Sequence, residues 1–550
     1  MITSTWNWMW DKHDQVKDMF RFFIHPKTTD MKNIAWAPDN GSGNGGHNGG
    51  GGHKRTYSTA QLIGLFMGPI LFILTLLFFK PEDLSNEGVA VLASTIWIAI
   101  WWMTEALPIP ATSLLPLILF PLSHGLDIDV TASAYGSDTI FLFMGGFMVA
   151  LAMEKWDLHR RIALTIISII GTNTDRIILG FMVATGFLSM WISNTATAMM
   201  MVPIGLAIIY QVSDALKDDS RVDTADDNFG FGKAMMLGIA YSASLGGIAT
   251  IIGTPPNAAL AGVVKKMYDV ELAFGTWMLF GVPVAWIFII LTWIYLMKFA
   301  FPQPVKTLPG GQEIIRNEKS KLGKASYEEK TVFVIFSLTA LAWITRSFFL
   351  EALNENIGDA VIAMTAALVL FAIPSKNKQG DTLLDWNTAV KLPWGILLLF
   401  GGGLAIAAGF TESGLSEWIG NQLSGLKGVN VFFVIMIVTA LVIFLTEITS
   451  NTATANMMYP IMASLALALG VHPYAFMIAA GVAASCAFML PVATPPNAVV
   501  FGSGYLRIPD MAKAGFVLNI IGVVIVTLAI YFLLPIIWGI DLTTIPASFK

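Results

Sequence analysis

The sequence predicts an all-α integral membrane protein with about eleven transmembrane helices and two re-entrant helical hairpins, built as two repeats of opposite orientation. Three observations carry that expectation. The composition is apolar with few charges, the chain holds a long series of stretches able to cross lipid, and one set of polar motifs occurs twice in the same order.

Of 550 residues, 55% are hydrophobic and only 13% charged, with a mean hydropathy of +0.67. A soluble chain of this length needs far more charge to cover its surface, so lipid must be the solvent for much of it. A net charge of −5 argues against a nucleic-acid partner. The single cysteine, Cys486, excludes an internal disulfide framework and a cysteine-rich metal site. Met1–Asp14 lacks a basic n-region followed by an apolar h-region, so no cleavable signal peptide is expected.

Residues 1–60 read as a cytoplasmic extension. Trp6, Met9, Trp10, Val16, Met19, Phe20 and Phe23 recur at helical spacing between Lys12, Lys17 and Arg21, which suits either an interfacial amphipathic helix or a docked terminal one. The Gly-rich run from Gly41 spells G-x-G-x-x-G, but no strand precedes it, so it reads as a flexible linker and not a dinucleotide site. His47 and His53 are incidental to that linker. The first transmembrane helix falls in 61–87, a first repeat in 88–301, a cytoplasmic linker in 302–330 and a second repeat in 331–550.

Full spans, each matched to ~30 Å of hydrocarbon, are expected near 62–79, 88–104, 110–122, 139–156, 233–268, 276–300, 331–350, 357–373, 391–409, 473–505 and 512–538. Two other segments, 176–210 and 429–469, are interrupted at their midpoints by Ser193-Asn194-Thr195 and Ser450-Asn451-Thr452. Each reads as a re-entrant hairpin of two half-length helices, since polar backbone at such depth needs protein or water around it. Seven Lys or Arg precede the first span, which puts the N-terminus in the cytoplasm. The basic loops at 155–161, 306–330, 376–391 and 507–513 then fall inside, and 123–138 and 351–359, with none, fall outside. Lys265 and Lys266 are exceptions. Eleven spans leave the C-terminus outside.

The duplication is explicit. Phe187-Leu188, Ser193-Asn194-Thr195-Ala196-Thr197-Ala198, Met200 and Pro203 recur as Phe444-Leu445, Ser450-Asn451-Thr452-Ala453-Thr454-Ala455, Met457 and Pro460, displaced by 257 residues. Thr254-Pro255-Pro256-Asn257-Ala258 recurs as Thr494-Pro495-Pro496-Asn497-Ala498, displaced by 240. An odd number of spans separates corresponding elements, so the halves run in opposite directions. Inverted repeats with interrupted helices at matching places mark a secondary transporter with its site near the midplane. In the Thr-Pro-Pro-Asn runs two prolines break the helix in mid-span. Restarting helices offer N–H groups and partial positive charge to an anion; ending helices offer carbonyls to a cation. None of the four motifs contains Lys or Arg. A dianion held only by neutral groups would suffer a severe desolvation cost, so co-bound cations are expected, at least two for two related sites.

These two hairpin tips, the two Thr-Pro-Pro-Asn breaks and Trp102-Met103-Thr104-Glu105-Ala106-Leu107-Pro108-Ile109-Pro110 closely resemble the divalent anion/sodium symporter family over residues 62–538. The resemblance implies a homodimer in the inner membrane whose scaffold stays fixed while a transport domain carries the site across, an elevator. It implies sodium-coupled symport of a C4-dicarboxylate such as succinate, malate or fumarate, with sodium as the co-transported ion and no organic cofactor. Carried over by motif, one sodium would be held by Ser189, Ser193, Asn194 and Gly253, and a second by Thr446, Thr449, Asn451 and Ala493, Gly253 and Ala493 acting through backbone oxygens. Substrate carboxylates would meet Asn194, Thr195, Asn451 and Thr452, with Pro255 and Thr494 lining the breaks.

Other readings stay open. The substrate could be citrate or sulfate, and a proton-coupled carrier or sodium-independent exchanger would use the same fold. Glu105, beside a proline-rich turn, reads as interfacial ahead of a proton relay, and the role of Glu447, next to the second tip, is left open. A membrane-embedded hydrolase is disfavoured, since the histidines near apolar spans, His124, His159 and His472, all lie at loop ends. A channel is disfavoured by paired ion sites in inverted repeats.

Overall fold

A computed structural model describes residues 58–549, apart from 172, 218–227, 304–310 and 427. The helix and Gly-rich linker expected in residues 1–60 lie outside the described residues, save the last three positions. Among the described residues no β-strand forms; Pro374 and Thr382 make an isolated antiparallel bridge. Nine of the described helices are long and apolar enough to cross a membrane.

Helix α1, Thr59–Phe78, buries only Gly64 and Gly68 and turns its Ile, Leu and Phe side chains outward. Its two glycines let the backbone approach α2, Asn86–Thr104, closely enough for Trp101 Nε1 to donate to the Gly64 carbonyl at 2.9 Å. Two short pieces follow, Ile109–Thr112 and Pro116–Leu122, because Pro108, Pro110, Pro116 and Pro121 interrupt the ladder. Helix α3 spans Asp138–Lys155 and α4 spans Leu158–Ile170.

The first interrupted segment is α5, Thr174–Ser189, followed by α6, Asn194–Leu216. The second is α13, Val431–Thr446, followed by α14, Asn451–Leu469. The expectation of half-length arms is corrected here. At 1.5 Å per residue α5 and α13 are ~24 Å long, but α6 and α14 reach ~34 and ~28 Å. Their apolar residues continue past Pro203 and Pro460, which the helices accommodate internally.

Two expected spans are broken. Residues 233–268 form α7, Gly230–Gly247, and α8, Pro255–Tyr268. Residues 473–505 form α15, Tyr474–Ala484, and α16, Pro495–Phe501. Between these pairs lie α9, Phe274–Tyr295; α10, Tyr327–Thr345, started by a Ser326–Glu329 capping box; α11, Asp359–Ala372; and α12, Trp394–Glu412. A last helix, α17, Ile508–Leu528, continues with a π-helical turn towards Trp538. At 14 residues α11 is only ~21 Å long, short of the expected full span.

Helix α15 is buried at every position and α7 at every position after Gly230. Each packs against both arms of its own hairpin, α7 against α5 and α6, α15 against α13 and α14. The continuations cross over: α8 packs on α14, and α16 packs on α6 and α7. The two broken helices are therefore enclosed by protein where their backbone leaves the helix, the setting that interrupted backbone requires in a membrane.

Candidate ion and substrate site

Each hairpin tip is a helix restart with the serine of its motif at the N-cap position, and in the first tip its side chain also caps the helix. Ser193 adopts φ −56° and ψ 141°, and its Oγ accepts the Ala196 N–H at 3.2 Å. Ser450 takes the same N-cap position before Asn451, at φ −68° and ψ 130°. Apart from that of Ala196, the first-turn N–H groups of α6 and α14 have no acceptor in the preceding turn of their own helices. The broken helices restart on Thr254 and Thr494, both extended, followed by Pro255-Pro256 and Pro495-Pro496. This corrects one expectation: with proline at the first two positions, α8 and α16 have no N–H there to offer an anion. The donors at this depth come from the hairpin tips.

The first tip meets the first break through oxygen atoms. Ser189 Oγ donates to the Ala243 carbonyl at 2.6 Å and also contacts the Asn194 carboxamide. One end of that carboxamide lies 3.2 Å from the Gly253 carbonyl and 3.1 Å from that of Ala243. Ser189 has one hydroxyl hydrogen for two acceptors. With the Asn194 oxygen turned in, four oxygens converge and only a cation satisfies them; with the amide nitrogen turned in, hydrogen bonds do. The donor set is neutral, hard oxygen, which fits sodium.

The second tip reproduces the pattern. Thr446 Oγ1 lies 2.7 Å from Asn451 Oδ1 and 3.0 Å from the Ala484 carbonyl, again one hydrogen between two acceptors. Ala493 sits beside this tip in the same cavity. Thr449 also lines the cavity, but its hydroxyl is turned to the Leu445 carbonyl at 2.9 Å and to Thr454 Oγ1 at 2.5 Å. By displacement the counterpart of Ser193 is Ser450, not Thr449.

Between the tips lies a cavity of about 650 Å³. Asn194, Thr195, Pro255, Asn451, Thr452 and Thr494 all line it, as do Ser193 and Gly253. Ser189 and Thr446 are fully buried behind the tips. No hydrogen-bond partner is found for the side chains of Thr195 and Thr452 among the described residues, which leaves both hydroxyls free to donate into the cavity. Glu105, Ile109, Phe147 and Ile396 are also among the lining residues. Glu105 is exposed and left-handed at φ 48°, at the edge of the cavity.

Several residues that matter were not singled out from the sequence. Asn257 Nδ2 donates to the carbonyls of Ile248 and Thr250 at 3.0 and 2.8 Å; Asn497 Nδ2 donates to those of Ala487 and Leu490 at 3.0 and 3.1 Å. Both asparagines are fully buried and serve as braces across the breaks, outside the cavity lining. The signal was present: an amide at the third helical position of an apolar span must find partners, and the nearest are the carbonyls that the break has released. Tyr459, on the second hairpin, donates to the Pro256 carbonyl of the first break at 2.6 Å, and Thr254 Oγ1 lies 3.4 Å from Ser485 Oγ. These cross-contacts bring the two halves of the site together.

Comparison with known proteins shows the family of the chain. The family model described as the sodium:sulfate symporter transmembrane region matches residues 59–540. A sodium-dependent dicarboxylate transporter SdcS of Staphylococcus saprophyticus is 50% identical over 493 residues, 89% of this chain and 94% of that protein. A Staphylococcus aureus protein of the same name is 51% identical over 492 residues, with the same coverage. Among solved structures, Neisseria gonorrhoeae MtrF, described among antimetabolite efflux pumps, aligns with a TM-score of 0.50 at 12% identity, over 86% of this chain and 95% of that one. That likeness speaks to the fold alone. The match across the whole membrane region, with two relatives at about half identity over nearly their full length, places the chain in a family of transporters and not of enzymes: it belongs to the sodium:sulfate symporter transmembrane-region family.

Proposed function

We propose that this protein is a sodium-coupled symporter of a C4-dicarboxylate, carrying succinate, malate or fumarate across the inner membrane. The observation that carries the reading is the cavity: two free threonine hydroxyls and two asparagines face it from opposite tips, and a neutral oxygen cluster stands behind each asparagine. Two hydroxyl donors from two helix N-termini suit a substrate with an acidic group at each end. The two oxygen clusters supply places for the sodium ions that neutralise it. The names of the SdcS relatives support the same substrate class and ion.

The polar lining comes from the hairpins and broken helices, and Ile109, Phe147 and Ile396 supply an apolar wall. In this reading the former, as two inverted repeats, form an elevator transport domain, and the latter belong to a fixed scaffold within a homodimer. Glu105, which lines the cavity, follows the C-terminal end of α2, the end that the charge distribution assigns to the cytoplasm, and in this reading the cavity faces that side.

Uptake of labelled succinate by proteoliposomes, with sodium or potassium outside, tests the proposal. Uptake should depend on external sodium with a Hill coefficient above one. Undiminished uptake in sodium-free potassium buffer under a pH gradient would assign the coupling to protons instead.

A further inference from the structure

Glu447 follows Thr446 directly and is buried, with 3% of its surface exposed. Its Oε1 accepts the Phe488 and Met489 N–H groups at 2.7 and 2.9 Å, and its Oε2 accepts those of Met489 and Leu490 at 3.1 and 3.2 Å. Asn519 Nδ2 on α17 donates to Oε1 at 2.8 Å. No Lys or Arg pairs with this carboxylate among the described residues. Neutral donors alone hold it in the interior, which they do well when several converge.

The two halves differ at this place. By the displacements of the repeat, Met190 stands where Glu447 stands, and residues 248–250 correspond to 488–490. In the first half the helix runs on to Gly247, and the N–H groups of Ile248 and Ala249 bond back to Leu245 and Gly246. In the second half the helix ends at Ala484, three residues earlier in the same frame. The N–H groups of Phe488, Met489 and Leu490 would each continue an α-helix by bonding four residues back, to Ala484, Ser485 and Cys486. Glu447 takes all three instead. The Ala484 carbonyl, freed in this way, is the one that faces Thr446 Oγ1 at 3.0 Å.

We propose that Glu447 is the positioning residue of the second sodium site: its carboxylate replaces the last turn of backbone acceptors, keeps that turn unwound and so turns carbonyl oxygen towards Thr446 and Asn451. The inference rests on the reading that sodium binds behind the second tip. Glu447 itself lies outside the cavity lining, so it acts through the backbone and not on the substrate. The first site, with Met190 at this place and a longer helix, does without such a residue.

The test is sodium-dependent succinate uptake in proteoliposomes by wild type, Glu447→Gln, Glu447→Asp and Asn519→Ala, together with sodium-induced thermal stabilisation of each purified protein. Glu447→Gln cannot accept all three N–H groups, since one end of its amide is a donor. It should raise the sodium concentration for half-maximal uptake by about tenfold or more, the effect of losing one hydrogen bond to a charged group. Its Hill coefficient should fall towards one, with the succinate KM at saturating sodium nearly unchanged. Glu447→Asp keeps the charge and should recover part of the sodium affinity. Asn519→Ala leaves the carboxylate in place and should move sodium affinity in the same direction by a smaller factor, which keeps the test decisive where Glu447→Gln does not fold. Unchanged sodium half-saturation in a folded Glu447→Gln, or in Asn519→Ala where Glu447→Gln is lost, overturns the proposal, as does an equal loss of sodium and succinate affinity. Sodium-independent uptake by the wild type would overturn the underlying reading instead, and the wild-type arm separates the two.

Discussion

Thr195 and Thr452 stand second in their helices, one residue past the asparagine that each hairpin tip shares with its oxygen cluster. Their hydroxyls have no partner within the protein among the described residues, and that freedom is what a substrate donor needs. Thr195→Ala and Thr452→Ala should each weaken succinate more than sodium, by about 1.5–3 kcal/mol for a lost hydrogen bond to a charged oxygen. The check is the succinate KM at saturating sodium, set against the sodium half-saturation. Normal succinate affinity in both mutants would remove the threonines from the site. Asn194 and Asn451 differ, because each amide touches the ion cluster and the cavity alike. The hairpin serines, threonines and asparagines were legible in the sequence because a polar run inside an apolar span must be enclosed by protein or water. The orientation of Thr449 was not, since a hydroxyl that bonds to its own helix looks the same in sequence as one that faces a cavity.

Among the elements, the breaks decide the geometry of the ion sites. Gly253 and Ala493 occupy equivalent positions in sequence, yet they are not interchangeable. A Cβ at Gly253 would lie 2.5 Å from the Gly247 carbonyl oxygen and 3.0 Å from Thr250 Oγ1. The second break, longer by a turn, already accommodates the methyl group of Ala493. Gly253→Ala should therefore force the first break open, raising sodium half-saturation and lowering thermal stability by roughly 1–3 kcal/mol, the usual cost of overpacking. Ala493→Gly should be mild by comparison. Transport and thermal unfolding of the two variants side by side check this, and equal behaviour would count against an asymmetric pair of breaks. Two prolines in an apolar stretch announced where each helix would restart. How far each unwinds depends on Glu447, Asn257 and Asn497, whose partners are distant in sequence or set only by the fold.

Across the whole molecule, the site is a place where two halves of the chain cross. α8 of the first half packs on the second hairpin, and α16 of the second half packs on α6 and α7 of the first. At the other end of α8, buried Arg346 on the helix after α10 pairs with Asp359 at 2.9 Å and with Glu271 at 2.7 Å, and Asp359 also accepts the Phe274 N–H at 2.9 Å. These contacts tie the start of α9 to α10 and α11. At this scale the electrostatics make one demand. The residues that line the cavity include no Lys or Arg, and helix N-termini supply only about half a charge each. Succinate should then bind the detergent-solubilised protein in sodium but not in choline, and each ligand should tighten the other by the same factor. Calorimetry in the two salts measures this, and equal succinate affinity in both would remove the physical basis for ion binding at the tips.

The sequence by itself determined that the chain is a membrane protein, where its backbone is interrupted, and that the interruptions come in pairs. Hydropathy, proline and a duplicated motif are local properties, and local properties are written in sequence. Tertiary structure alone decided that the second arm of each hairpin runs well past half length, that the broken helices restart on their prolines themselves, and that Glu105 borders the cavity. It also decided which carbonyls each break releases. Those outcomes depend on which groups meet across separations of tens to hundreds of residues, as Glu447 meets Asn519 and Tyr459 meets Pro256, and no periodicity in the chain encodes such a meeting.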